Sequence, residues 1–182
     1  MMQSYDVTIV GGGMVGLTLA KCLAKSHLSI AIIEANKTVA LSDTPESRVS
    51  AISFASKTLF DNLGIWPLLK AQRITPYHTM QVWEKDSFGK IDFDAKQVDQ
   101  KDLGYIVENK NLQQALQQSV QQQQNVTFFC PDSLQSMAIG EGEVWLTLNS
   151  GKQLTSKLVV AADGANSWVR TQLNIPLTQW DY

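Results

Sequence analysis

The chain has 182 residues, of which 44% are hydrophobic and 18% charged, and its formal net charge is −2. This composition is typical of a globular protein with one sizeable core, and it gives no basic field that would indicate a nucleic-acid partner. No apolar run is long enough to span a bilayer, so no transmembrane segment is predicted. Two cysteines and two histidines fit no metal-ligand spacing, and a reducing, cytoplasmic compartment is expected.

The N-terminal segment predicts a βαβ unit. An apolar run at residues 5–10 predicts a buried strand, and the helical spacing of apolar residues predicts a helix at 14–25. Residues 29–34 predict a second buried strand. Because the helix returns the chain to the same end of the sheet, the two strands are expected to be parallel, which indicates an α/β fold.

Three consecutive glycines separate the first strand from the helix. Gly11, Gly13 and Gly16 fit G-x-G-x-x-G, in which the first glycine permits a tight turn, the second lets a pyrophosphate approach the backbone and the third allows close helix packing. Gly12 is interpreted as easing the same turn. Glu34 ends the next strand, where a carboxylate binds an adenosine ribose. The pattern predicts a site for NAD or FAD, and the alternative is a glycine-rich turn with a surface glutamate.

The remainder of the chain predicts short elements of both kinds. The glutamine-rich stretch QQALQQSVQQQQ is either a disordered tract or a solvated helix face, and the apolar stripe of Leu112, Leu116 and Val120 favours the helix. The predictions are a polar loop at 35–51, a helix at 55–63, a hairpin within 77–94, a helix at 109–122, a strand at 126–130 and a β meander over 134–139, 143–149 and 153–162.

A second motif follows the last predicted strand. The segment LVVAADGANSWVR runs from an apolar strand into Asp163 and Gly164, and it resembles the DG motif of the FAD-dependent aromatic-ring hydroxylases, the family typified by para-hydroxybenzoate hydroxylase. The resemblance implies that this turn lies near the ribose and pyrophosphate of FAD, with Ser167 and Arg170 bracing it. The motif is also linked to the nicotinamide cofactor. The alternative is an ordinary Asp-Gly turn.

Two further segments resemble this family. SRVSAIS carries Arg48 where the family has an arginine that approaches the phosphate and ribityl part of FAD; the alternative is a surface ion pair. The chain has three arginines, Arg48, Arg73 and Arg170, and two of them fall in these motifs. YIVENKNLQQAL carries Asn109 where the family has Arg or Gln beside the flavin, and a plain N-cap role is the alternative.

Within the family, the segments WEKDSFG and IPLTQWDY are similar to those of bacterial ubiquinone-biosynthesis hydroxylases, in particular the 2-octaprenylphenol hydroxylases. The resemblance implies an FAD-dependent monooxygenase that uses NAD(P)H and O₂ to hydroxylate a polyprenylated phenol ring. It also implies protein partners in ubiquinone biosynthesis. The implied location is cytoplasmic, or peripheral at the inner membrane for the full-length enzyme.

Members of this family are roughly twice as long as this chain. The resemblance therefore implies that residues 1–182 are the N-terminal part of an FAD-binding domain, with 72–106 an excursion into the substrate-covering sheet. The predicted fold is an incomplete para-hydroxybenzoate hydroxylase-type fold, a Rossmann-like βαβ with a parallel sheet plus an antiparallel β meander. Such a fragment is expected to be inactive by itself.

Two other functions are compatible with the glycine motif, namely an NAD-dependent Rossmann dehydrogenase and a non-catalytic nucleotide-binding module. The segment DGANSWVR and Arg48 favour the hydroxylase, because a dehydrogenase needs neither. The sequence predicts no catalytic side chain. Candidates for lining a ring pocket are Tyr77, His78 and Trp83. Core packing or a position at an exposed edge is favoured for them.

Overall fold

The computed structural model describes residues 2–37 and 44–179, so that residues 38–43 of the predicted polar loop and the end of IPLTQWDY lie outside it. The chain divides into two compact units, one of residues 1–39 and 116–182 and one of residues 40–115. The strands of the described residues are β1 (Gln3–Val10), β2 (Ile30–Ile33), β3 (Val49–Ser53), β4 (Ile74–Tyr77), β5 (Thr79–Trp83), β6 (Lys90–Asp94), β7 (Gly104–Glu108), β8 (Val126–Phe129), β9 (Leu134–Ile139), β10 (Val144–Leu148) and β11 (Gln153–Ala161). Their α-helices are α1 (Met14–Cys22), α2 (Phe54–Asn62), α3 (Trp66–Lys70), α4 (Asn109–Gln121) and α5 (Trp168–Gln172).

The βαβ unit predicted at the N-terminus is confirmed. All four residues of β2 are buried, as are the last four of β1, because strands of a parallel sheet are covered on both faces. Helix α1 buries Gly16, Leu17 and Ala20. The two strands pair in parallel, with Ile9 opposite Ile32.

The first unit is built on a six-stranded sheet with the order β8-β2-β1-β11-β10-β9. Strands β8, β2, β1 and β11 are parallel, and β9 to β11 form the predicted antiparallel meander. The chain leaves β1 for β2 on one side and returns to its other side as β11, so the strand order reverses at β1. One hydrophobic cluster of buried residues in this unit consists of Tyr5, Val10, Ala31, Ile33, Phe129, Leu134, Leu146, Leu148, Leu154 and Val169.

The second unit contains two small antiparallel sheets. The hairpin of β5 and β6 was predicted, and it lies, like the whole of 72–106, inside this unit. The three-stranded sheet β3-β7-β4 was not predicted. Strands β3 and β4 are largely exposed or half-buried, and β4 contains Pro76, so neither shows the alternation by which a strand is recognised.

Local residues explain where α3 begins and why α4 forms. Gly64, with φ of +71°, follows the C-cap of α2, and Pro67 lies in the first turn of α3, where a missing N–H costs nothing. The glutamine-rich stretch forms α4, and its stripe of Leu112, Leu116 and Val120 is buried. The helix is thus confirmed, while Gln117 of the predicted solvated face is buried. No helix of residues 2–37 and 44–179 is both long and apolar enough to cross a membrane.

Candidate functional site

Gly11 makes the turn out of β1. Its φ is +107°, in the range that favours glycine, and its N–H donates to the carbonyl of Ile33 at 2.8 Å. A Cβ at this position would lie 2.3 Å from the carbonyl oxygen of Ala162. Gly11 therefore allows the end of β1 to lie directly against the chain that follows β11.

The other two motif glycines differ in what surrounds them. A Cβ on Gly16 would lie 2.1 Å from the carbonyl oxygen of Gly11 and 3.1 Å from Cγ2 of Ile9, so Gly16 lets α1 pack on the turn. A Cβ on Gly13 would meet no atom within 4 Å. Gly13 is the N-cap of α1, where unpaired N–H groups and the helix dipole attract an anion. The open backbone at Gly13 is thus of the kind that a pyrophosphate needs.

The Glu34 carboxylate is held in place at the end of β2. Its Oε2 accepts the N–H of Gly12 at 2.6 Å, and its Oε1 accepts the backbone N–H and the side-chain amide of Asn36 at 2.7 and 3.0 Å. A carboxylate has about four acceptor sites, so Oε2 keeps capacity for a ribose hydroxyl. The glycine motif does not indicate that the backbone N–H of Gly12 holds this acid, and no sequence pattern points to Asn36.

The turn after β11 begins as a continuation of the sheet. The N–H of Ala162 donates to the carbonyl of Val10 at 2.8 Å, and Gly164 follows with φ of +82°. The Asp163 carboxylate accepts the hydroxyl of Ser167 at 2.6 Å and the N–H of Val169 at 3.2 Å. The acid thereby binds the first turn of α5 and keeps the Asp-Gly turn in one conformation.

Ser167 braces this turn, as the resemblance implied. It is buried, it is the N-cap of α5, and its hydroxyl oxygen accepts the N–H of Arg170 at 3.0 Å. Within the described ranges, the guanidinium of Arg170 takes part in none of the hydrogen bonds or ion pairs of the turn. The bracing therefore comes from the serine and from the backbone of Arg170.

Replacing Ser167 with alanine should lower the free energy of unfolding by about 1 kcal/mol, the usual value of an N-cap. It should also weaken FAD binding about fivefold, because Asp163 loses one of its donors. Chemical denaturation and fluorescence titration measure the two effects. Ser53 is the matched control, since it caps α2 in the same way: Ser53→Ala should cost similar stability and leave the affinity unchanged. Equal affinities of Ser167→Ala and the parent chain would contradict this role.

The two motifs meet although about 150 residues separate them in sequence. Val10 and Ala161 are partners at the carboxyl ends of neighbouring parallel strands, so Gly11 and Asp163 follow them side by side. This edge of the sheet lies where the strand order reverses, which is where ligands bind in open α/β sheets. The glycine turn, Glu34 and the Asp-Gly turn all belong to the first unit.

Arg48 and Asn109 lie in the second unit, next to each other. The N–H of Asn109 donates to the carbonyl of Arg48 at 3.1 Å, and the hydroxyl of Ser50 donates to Oδ1 of Asn109 at 2.6 Å. The Arg48 side chain is exposed, and among residues 2–37 and 44–179 it forms no ion pair. The structure of these ranges therefore does not show the surface ion pair that was the alternative for Arg48.

Trp83 and His78, two of the three candidates for lining a ring pocket, lie at the surface of the second unit. Trp83 and His78 have exposures of 69% and 59%. Nδ1 of His78 lies 3.1 Å from the Asp102 carboxylate, whose other oxygen accepts the hydroxyl of Tyr105 at 3.0 Å. Burial, followed by the hydrogen bond to Asp102, raises the pKa of Tyr105. These exposed positions agree with the interpretation that the two side chains lie at exposed edges.

Known proteins are similar to this chain over nearly its whole length, which includes the site described above. The chain is 40% identical over 182 residues to the 3-demethoxyubiquinol 3-hydroxylase of Escherichia coli K12, covering 99% of this chain and 46% of that protein. It is 34% identical to the human ubiquinone biosynthesis monooxygenase COQ6, mitochondrial, covering 98% of this chain and 41% of the relative. The chain therefore spans somewhat less than half the length of these curated relatives.

Solved structures show the same fold. PqsL, a probable FAD-dependent monooxygenase from Pseudomonas aeruginosa, matches with a TM-score of 0.77 at 19% identity, covering 99% of this chain and 48% of that one. The p-nitrophenol 4-monooxygenase PnpA from Pseudomonas putida matches with a TM-score of 0.75 at 19% identity, covering 97% and 45%. The predicted fold class is confirmed.

The family match accounts for the geometry described above. The FAD binding domain family matches residues 4–181, which is nearly the whole chain. This match includes both the glycine turn and the Asp-Gly turn, and it decides between the two dinucleotides that the glycine motif left open. The chain belongs to the FAD binding domain family.

Proposed function

We propose that this chain holds the adenosine and pyrophosphate part of FAD at the carboxyl edge of β1 and β11. The observation that carries the proposal is the meeting of the glycine turn and the Asp-Gly turn at this edge, with open space at Gly13 that a Cβ would fill. In the proposed arrangement the backbone at Gly13 and the start of α1 bind the pyrophosphate, and Glu34 binds the adenosine ribose through its remaining acceptor capacity.

The remaining predicted residues would complete the binding of FAD. Asp163 and Gly164 shape the turn against the ribose and pyrophosphate, with the acid kept in position by Ser167. Arg48 supplies a positive charge to the phosphate and ribityl part, to which its forked donors are suited. Asn109 offers its amide group to the flavin. These roles remain predictions from the resemblance, supported by the exposure of Arg48 and by its contact with Asn109.

The whole protein is proposed to be a monooxygenase that hydroxylates a polyprenylated phenol ring in ubiquinone biosynthesis. FAD held by these residues would supply the redox chemistry of the hydroxylation, with NAD(P)H as the reductant and O₂ as the source of the oxygen atom. The support is that the curated relatives include ubiquinone-biosynthesis monooxygenases. The ring position, the 2-octaprenylphenol subgroup, the protein partners and a place at the inner membrane stay predictions.

The binding proposal is tested by titrating the purified 182-residue chain with FAD and following the quenching of flavin fluorescence. Saturable binding, together with the visible absorption bands of a bound flavin, is the expected result. NAD and ADP serve as competitors. Protection against heat by NAD but not by FAD would overturn the proposal in favour of a dehydrogenase, and no response to either would leave a module without this function.

The activity proposal is tested on the longest form of the protein that its reading frame encodes. That form is incubated with FAD, NADH or NADPH, O₂ and a short-chain prenylphenol in detergent. Mass spectrometry should detect a product heavier by one oxygen atom, labelled when ¹⁸O₂ is supplied. Oxidation of NAD(P)H without a hydroxylated product, in a protein that retains FAD, would contradict this substrate class while leaving the FAD site intact.

A further inference from the structure

The third arginine, Arg73, lies outside the sequence motifs and forms an ion pair with Glu108, whose carboxylate is buried while the Arg73 side chain is 45% exposed. Nε and Nη2 of Arg73 donate to Oε1 and Oε2 of Glu108 at 2.6 and 3.0 Å, a forked arrangement that holds both groups in a fixed orientation. Glu108 is only 6% exposed. A buried charge needs such a partner, and Arg73, as the first cause, holds the pKa of Glu108 below its ordinary value.

The same pair holds the segment that leads to Arg48. The N–H of Glu46 donates to Oε2 of Glu108 at 3.1 Å, and Nη2 of Arg73 donates to the carbonyl of Thr44 at 3.4 Å. Lys110 forms an ion pair with the Glu46 side chain. Residues 44–46 are thus attached at several points to the end of β7 and the start of α4.

Arg48 lies between two attachment points. On one side is the Glu46 contact with Glu108, and on the other Val49 pairs with Glu108 in the sheet. The carbonyl of Arg48 itself accepts the N–H of Asn109. The backbone on both sides of Arg48 is therefore attached to Glu108 or to its immediate neighbour, while the guanidinium of Arg48 stays exposed.

We infer that Arg73 and Glu108 are positioning residues that set the backbone from which Arg48 presents its charge to FAD. This rests on the proposed function, in which Arg48 contacts the cofactor. The Arg73 side chain is nearly half exposed, and ion pairs that reach solvent usually add little net stability, so stability alone is a weak reason for this pair. A fixed backbone reduces the conformational freedom that Arg48 loses on binding, and that gain appears as affinity.

A double-mutant cycle separates positioning from a merely structural role. In the parent chain, Glu108→Gln should weaken FAD binding about tenfold, as measured by fluorescence titration. In an Arg48→Ala background, the same change should alter the dissociation constant less than about twofold, because there is no longer a charge to position. Asp61→Asn, which breaks the exposed Lys57–Asp61 pair of the same unit, is the control and should change nothing. Circular dichroism verifies folding in each case.

Arg73→Lys is the second variant, for the case in which Glu108→Gln does not fold. It keeps the charge and loses the fork, so an intermediate loss of affinity is expected, again only when Arg48 is present. An equal weakening by Glu108→Gln or Arg73→Lys with and without Arg48 would overturn the inference and leave the FAD site standing. An unchanged affinity in Arg48→Ala would overturn both the role of Arg48 and the inference, and a parent chain that binds no FAD would overturn the proposed function itself.

Discussion

Replacing Gly13 with valine should abolish FAD retention without unfolding the chain. Gly13 has φ of −77° and ψ of −176°, which any residue adopts, and a Cβ there would meet no protein atom within 4 Å. The valine side chain would instead occupy the space that we assign to the pyrophosphate. A loss of affinity of about 100-fold or more is expected, equivalent to roughly 3 kcal/mol.

The affinity is measured by fluorescence titration and the stability by urea denaturation of the same sample. Gly142→Val is the matched control, because a Cβ on Gly142 would also meet open space. Gly142 lines a shallow pocket with Ser4, at the amino-terminal end of β1 and away from the proposed site. The control should bind FAD like the parent chain. Equal FAD affinity of Gly13→Val and the parent chain would refute the site.

Replacing Gly16 with alanine should have the opposite outcome, a loss of stability. Alanine is better than glycine in a helix by up to about 1 kcal/mol, but its Cβ would lie 2.1 Å from the carbonyl oxygen of Gly11, a backbone atom. Either α1 must move away from the sheet or the glycine turn must shift. Overpacking of this kind costs about 1–3 kcal/mol, so we expect the clash to outweigh the helix propensity.

Thermal and urea denaturation followed by circular dichroism measure this effect. Gly13→Ala is the control in the same turn: it adds the same methyl group into open space, and its effect should stay within about 1 kcal/mol, because the N-cap preference for glycine over alanine opposes the lower entropy of the unfolded chain. Should Gly16→Ala match or exceed the stability of the parent chain, close packing of α1 on the turn would not be the reason for a glycine at this position.

Much of the fold could be predicted because its main elements are locally encoded. The βαβ unit, the hairpin of β5 and β6, α4 and the meander all carry their own periodicity or turn residues, and each was predicted within a few residues of its position. Strands β3, β4 and β7 were missed for a physical reason. They are short, and the pairing of β7 with strands that are remote in sequence holds them together, a contribution that no local pattern carries.

The candidate site likewise contains residues that the sequence predicts and contacts that only the folded structure shows. Gly11, Gly13 and Gly16 were predicted from spacing, because the strand, turn and helix that they join are contiguous in sequence. The function of Gly12 in holding Glu34 was not, since it depends on a hydrogen bond between two strand ends. The family resemblance pointed to Arg48, but nothing in the sequence indicated that the ion pair between Arg73 and the buried Glu108 holds the segment in front of it.

The sequence by itself determined the identity of the elements and of the nucleotide-binding motif, because backbone conformation and periodicity act between residues close in the chain. Only the tertiary structure decided that two turns, one after β1 and one after β11, share one edge of a sheet. It also decided that one glycine faces open space while another three residues later is closely packed. These outcomes depend on long-range pairing and on the space left by neighbouring backbone, and both exist only once the chain has folded.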